Sequence, residues 1–150
     1  MTLNIPTLCV MNGHSIAGGL IFALCHDFRI MREDFGLICR SEINLGLTLP
    51  TSYAAIIKNS LTPDVSRLLS YGGKYKPQDA LRMKVVDNLY KDRKDLESHI
   101  EKFAKEYSPK GAFKESLKDL KIQLHRETYR SLINDTMSLA ATKLFTRAKM

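Results

Sequence analysis

Cysteine is scarce: the 150 residues hold three, Cys9, Cys25 and Cys39, with no CxxC spacing. An odd, scattered set argues against a disulfide framework and a cysteine-based zinc site, and suits a reducing compartment. The four histidines are equally dispersed and add no metal-ligand pattern. Internal repeats and low-complexity tracts are missing. So are an RGG tract, an aromatic-basic RNA-binding pattern and zinc-finger spacing, which leaves no nucleic-acid signature beyond charge. Residues 8–25 approach membrane-spanning length, but Asn12, His14 and Ser15 interrupt them and three glycines weaken them as one helix. The opening MTLNIPT carries no Lys or Arg, so it lacks the charged region of a signal peptide. Neither a membrane span nor a secretory leader is expected.

What is present fits one globular domain with a real core: 44% hydrophobic and 26% charged residues. The net charge of +7 is uneven. Residues 1–90 carry nine Lys/Arg against seven Asp/Glu; residues 91–150 carry fourteen against nine. A basic tail reads first as solvated helical surface and second as attraction to an anionic partner, nucleic acid or a phosphate-bearing ligand.

Hydrophobic patterning alternates strand and helix up to about residue 90. Thr7–Met11 reads as a buried strand, Asn12-Gly13 as a turn, and Ala17-Gly18 to about His26 as a helix. Phe28–Met31 and Phe35–Cys39 read as strands. Helices are expected from Pro50 to Ile57, from Pro63 to Tyr71 with Thr62 as N-cap, and at Pro77–Met83. Val85–Leu89 reads as a last strand. Beyond it, Leu96, Ile100, Phe103 and Tyr107 share one helical face, Phe113, Leu117, Leu120 and Leu124 another, and Ile133, Met137, Ala141 and Leu144 a third. The expected class is therefore α/β, with a body over 1–90 and a helical region over 91–150.

Gly18-Gly19, directly before an apolar stretch, is open to two readings besides the membrane one. Glycine permits close packing of helix on strand. It also bares the first N–H groups of a helix to a negatively charged ligand atom.

The stretches PTLCVMNGHSIAGGLIFALCHDFRIM, FGLICRSEINLGLTLP and KYKPQDALRMKVVDNLY together resemble the enoyl-CoA hydratase/isomerase (crotonase) superfamily. Within it they are most similar to Δ3,Δ2-enoyl-CoA isomerases. The likeness runs from about Ile5 to Tyr90, and the tail matches in helical character only. It implies a partial crotonase-like β/α spiral core over 1–90. It also implies a helical C-terminal region over 91–150 that packs on the core or on neighbouring subunits. The family section that supplies the other oxyanion N–H and much of the CoA-binding surface precedes the matching stretch and is not in this sequence. Lys84 stands where the family often has glycine.

The resemblance further implies roles. Gly18 N–H would lie in an oxyanion hole for a thioester carbonyl, and Glu42 would be the base. Phe35, Leu37, Ile38, Ile43, Leu45, Leu47 and Leu49 surround Glu42 in sequence, so an apolar setting that disfavours its charged form is expected. An exposed loop carboxylate is the commoner state of glutamate, and family position decides between them. Ile21 stands where hydratases of the family carry a second glutamate. Adding water needs two carboxylates; shifting a double bond needs one base and an oxyanion hole. Ile21 with Glu42 therefore favours isomerase over hydratase, with Ile21, Leu45 and Leu47 lining the acyl pocket. No metal or redox cofactor is implied, because the CoA thioester is the substrate. Association into a homo-oligomer, commonly a trimer in the family, is expected through the helical tail. A catalytically incomplete relative that acts by subunit association or RNA contact is the alternative, and a hydratase the third. His14 and His26 read as structural. Ala148-Lys149-Met150 has the small-basic-apolar order of the peroxisomal S-K-L address, with mitochondrion and cytosol as the other locations.

Overall fold

In the computed structural model of the chain, residues 1–134 are described. The elements in order are β1 (Leu8–Met11), β2 (Ser15–Ile16), α1 (Gly18–Leu24), β3 (Phe28–Arg32) and β4 (Ile38–Cys39). A 3-10 turn at Glu42–Leu45 follows, then α2 (Thr51–Ser60), α3 (Pro63–Ser70), β5 (Lys74–Tyr75), α4 (Pro77–Arg82) and β6 (Asn88–Tyr90). The helical part has α5 (Arg93–Tyr107), a 3-10 turn at Ser108–Ala112, α6 (Lys114–Leu124) and α7 (Arg126–Ile133). Met137, Ala141, Leu144 and the terminal Ala148-Lys149-Met150 lie outside the described residues.

Two three-stranded sheets organise the α/β part. The first is all parallel, in the order β1-β3-β6. Its register pairs Val10 with Ile30 and Met31 with Leu89. In the second, β2 and β4 are parallel and β5 pairs antiparallel with β4. Leu20, Ile21, Ala23 and Leu24 of α1 form its buried face, and Phe22 takes the solvent side. That face packs with Met31, Ile38, Ile56, Leu69, Val85 and Val86 into one core cluster. These side chains are aliphatic or thioether groups of moderate size, which fill a small interior without burying a donor.

The helical part is fastened to this body by specific contacts. Asp92 caps α5 by accepting the Asp95 N–H at 2.9 Å, and α5 lays Phe103 and Tyr107 against Phe28 at ring-centroid distances of 5.4 and 4.5 Å. Lys121 of α6 is buried and donates to the Asp27 carboxylate at 2.6 Å and to the Ile5 carbonyl at 2.7 Å. The same Asp27 oxygen accepts the Thr7 N–H and hydroxyl, each at 2.8 Å. Against α2, Asn59 Nδ2 reaches His125 Nδ1 at 2.6 Å, and the Thr128 hydroxyl donates to the Ala55 carbonyl at 3.4 Å.

The structure departs from the expected elements in four ways. The strand expected over Phe35–Cys39 shrinks to Ile38–Cys39. Gly36, at φ +114°, passes so close to Gly13 that an added Cβ would lie 2.5 Å from its carbonyl oxygen. Pairing at Val85–Leu89 starts only at Asn88, because the Val85 and Val86 N–H groups close α4 onto the Ala80 carbonyl. Thr62 starts α3 but makes no side-chain cap bond; its hydroxyl binds the Asp64 carboxylate, which holds that acid below its usual range. The stripe expected to pack from α6 leaves Phe113, Leu120 and Leu124 exposed, since the chain turns at His125 and α7 makes the contacts with α2. Lys84 sits at φ 55°, a left-handed position natural to glycine.

Candidate active site

The parallel pairing of β2 with β4 brings two distant stretches together. Ser15 faces Ile38 and Ile16 faces Cys39, and the Ala17 N–H continues the ladder to the Cys39 carbonyl at 2.9 Å. Gly18 follows that ladder by one residue, and Glu42 follows Cys39 by three. Both therefore leave the same end of the pair.

Ala17 makes the turn from strand to helix at φ 50°, ψ −118°, a conformation that L-residues rarely adopt and that costs of order 1–3 kcal/mol. The first helical bonds run from the Leu20 and Ile21 N–H groups to the Ala17 carbonyl, at 3.0 and 3.2 Å. The Gly18 N–H lies ahead of that first turn. A Cβ added to Gly18 would meet nothing within 4 Å, so the space over this backbone is open. Upstream, the Tyr90 hydroxyl donates to Asn12 Oδ1 at 2.8 Å and His14 rests on Phe35 at 5.2 Å, which steadies the Asn12-Gly13 turn. His26 Nδ1 lies 3.0 Å from the Phe22 carbonyl at the far end of α1.

Ile21 lies one turn into α1 and is 4% exposed, within the core cluster. No carboxylate occupies that position. Glu42 opens the 3-10 turn that follows β4, and Gly46 at φ 64° closes it, with the Leu47 N–H bonded to the Glu42 carbonyl at 2.9 Å. Glu42 is covered as expected, its side chain 14% exposed, but most of the apolar neighbours expected around it do not do the covering. Phe35, Ile43, Leu45 and Leu47 are exposed, Leu45 at 69% and Leu47 at 42%. A four-residue 3-10 turn has too few positions to bury these side chains beneath it. Ile38 alone of the seven is fully buried.

Glu42 instead faces a cation that sequence reasoning did not single out. Arg40 Nε lies 3.9 Å from Glu42 Oε2, with side-chain exposures of only 9% and 14%. Arg40 Nη1 donates to the Ser70 hydroxyl of α3 at 3.1 Å, and Ser70 donates to the Ser66 carbonyl at 2.7 Å. Burial pushes the Arg40 guanidinium below its usual range, and the Glu42 charge pulls it back up. A separate cleft of about 450 Å³ between β3 and α5 is lined by Phe28, Arg29, Asp87, His99, Phe103 and Tyr107, among others. None of the predicted site residues lines it.

A family model described as enoyl-CoA hydratase/isomerase matches residues 1–147. Enoyl-CoA delta isomerase 3 of Arabidopsis thaliana is 36% identical over 94 residues, covering 61% of this chain and 40% of the relative. Enoyl-CoA delta isomerase 2, peroxisomal, of the same plant is 34% identical over 97 residues, covering 63% and 40%. The chain thus spans about two fifths of these curated relatives. Among solved structures, an enoyl-CoA hydratase from Mycobacterium marinum superposes with a TM-score of 0.74 at 20% identity, over 87% of this chain and 57% of that one. That likeness is one of fold.

Proposed function

The chain belongs to the enoyl-CoA hydratase/isomerase family, and from that membership we propose that it acts as a Δ3,Δ2-enoyl-CoA isomerase-type enzyme of fatty-acid β-oxidation. The observation that carries this reading is Ile21, buried and apolar one turn past Gly18, on a fold whose β2–β4 pairing sends Gly18 and Glu42 off the same end. Glu42 removes a proton from C2 of a 3-enoyl thioester. The electron pair moves toward the thioester carbonyl, whose oxygen gains negative charge and accepts the Gly18 N–H. The double bond re-forms between C2 and C3, and Glu42 returns its proton at C4. No atom is gained or lost, so one base that can also act as an acid is enough. Fixed N–H donors help because the oxygen's charge grows in the transition state, where they act most strongly.

Hydration would need a second carboxylate to handle the added water, and isoleucine can neither give nor take a proton. The isomerase names of the curated relatives support the same side. The substrate is an acyl-CoA and CoA is part of it, so the exposed Leu45 and Leu47 are proposed to face the acyl chain, whereas Ile21, expected to line the pocket with them, packs in the core cluster. A second reading, a catalytically incomplete relative that works by association or RNA contact, draws on the exposed apolar residues of α6 and α7. A peroxisomal location is proposed from the relatives named peroxisomal, with the mitochondrion, named for another, as the alternative. Conversion of 3-enoyl-CoA to 2-enoyl-CoA by the purified chain tests the first reading. No turnover, with acyl-CoA binding intact, would favour the second.

A further inference from the structure

Arg40 Nε and Glu42 Oε2 are both buried, and neither finds a hydrogen-bond partner among the described residues. They face one another at 3.9 Å, close enough for charge attraction and too far for a hydrogen bond. Buried polar atoms ordinarily find partners, and an unmatched pair of opposite charge calls for a reason. The guanidinium is not free to drift toward the carboxylate. Its Nη1 is tied to Ser70, and Ser70 is tied back into α3 through the Ser66 carbonyl. The cation is thus fixed on the body of the fold, while Glu42 sits on a short turn whose other side chains are exposed.

We propose that Arg40 is a positioning residue for Glu42, a buried cation that holds Oε2 inward so that Oε1 alone meets the substrate. This rests on the isomerase reading and deepens it. A single carboxylate that takes a proton at C2 and returns it at C4 must offer one oxygen to two carbons on either side of C3. A carboxylate free to rotate would spend much of its time with neither oxygen aligned. Attraction from one side fixes the rotation, and the gap of 3.9 Å leaves the acid without a hydrogen bond that would have to break during transfer. Arg40 touches no reacting atom and acts through Glu42.

The test combines kinetics with a measurement that needs no turnover. Arg40→Met keeps side-chain length and removes the charge; it lowers kcat by about tenfold or more with KM within about twofold, because misplacing a catalytic group costs rate rather than binding. Arg40→Lys restores most of the loss, and Ser70→Ala, which frees the tether, reproduces part of it. In 15N-arginine-labelled chain, the Arg40 Nε–H resonance shifts on Glu42→Gln. Undiminished kcat in Arg40→Met overturns the inference and leaves the isomerase reading standing. Equal losses in the Met and Lys variants, matched by equal losses of melting temperature, overturn it in favour of a structural tie. An Nε–H resonance indifferent to Glu42→Gln overturns it whatever the activity. If the parent does not isomerise 3-enoyl-CoA but the resonance responds, the isomerase reading falls and Arg40 still holds Glu42.

Discussion

At the scale of single residues, Gly18 separates folding from function. A methyl group there meets nothing in the protein within 4 Å. On the proposed reading it would crowd the ligand oxygen that the N–H is to receive. Gly18→Ala is therefore expected to melt within a few degrees of the parent and to lose turnover, by up to about 10²-fold where the methyl keeps the oxygen off the N–H as completely as loss of the donor would. A variant that melts normally and turns over normally would remove Gly18 from the oxyanion site. His125 makes a second prediction, this one of pH. Burial lowers its pKa from 6.5, the Met1 ammonium and Lys121 lower it further, and Asp27 opposes them. A group depressed on folding stabilises fully above its unfolded value, and that contribution is lost as pH falls through the folded one. Urea unfolding at pH 7.5 and pH 5 should accordingly show a larger acid loss for the parent than for His125→Asn. Equal losses would mean that the Asn59 contact does not depend on neutral imidazole.

Among the elements, the tie between α6 and the start of β3 bears the most on stability. Lys121 is buried and its ammonium is shared between Asp27 and the Ile5 carbonyl. Lys121→Met leaves a partly buried carboxylate without its cation, at a cost of about 3 kcal/mol. Asp27 keeps two donors from Thr7, which sets the cost at the low end of the range for broken buried pairs. An unchanged urea midpoint for Lys121→Met would contradict this. Elements of this length were legible in the sequence to different degrees. The spacing of Leu20, Ile21, Ala23 and Leu24 announced α1, and Thr62-Pro63 announced the start of α3. The two-residue strands β2 and β5 are too short for alternation to register, and both depend on pairing with β4. Gly18, Ile21 and Glu42 came from resemblance rather than periodicity. Arg40 escaped because its partner Ser70, on α3, is thirty positions away and only the tertiary fold joins them.

For the whole molecule, surface and site make separate demands. Phe113, Leu120, Leu124, Tyr129, Leu132 and Ile133 all lie exposed along α6, its preceding turn and α7. Exposed apolar residues on these successive elements support association, and the proposal is a homo-oligomer. Sedimentation equilibrium at micromolar concentration should give a mass above the 17.0 kDa of one chain, and a single monomeric species would count against it. Among the described residues no helix is long and apolar enough to cross a membrane. The proposed site rests on Glu42 as base, Gly18 and Ile21, and the proposed base is the part that can be removed without changing shape. The most direct measurement is the rate of conversion of 3-enoyl-CoA to 2-enoyl-CoA by the parent chain and by Glu42→Gln, with acyl-CoA binding measured in both. The account predicts a parent that turns over and a variant that binds acyl-CoA equally well but loses the reaction, because the amide keeps the shape and cannot carry the proton. A Glu42→Gln variant that isomerises as fast as the parent would contradict it.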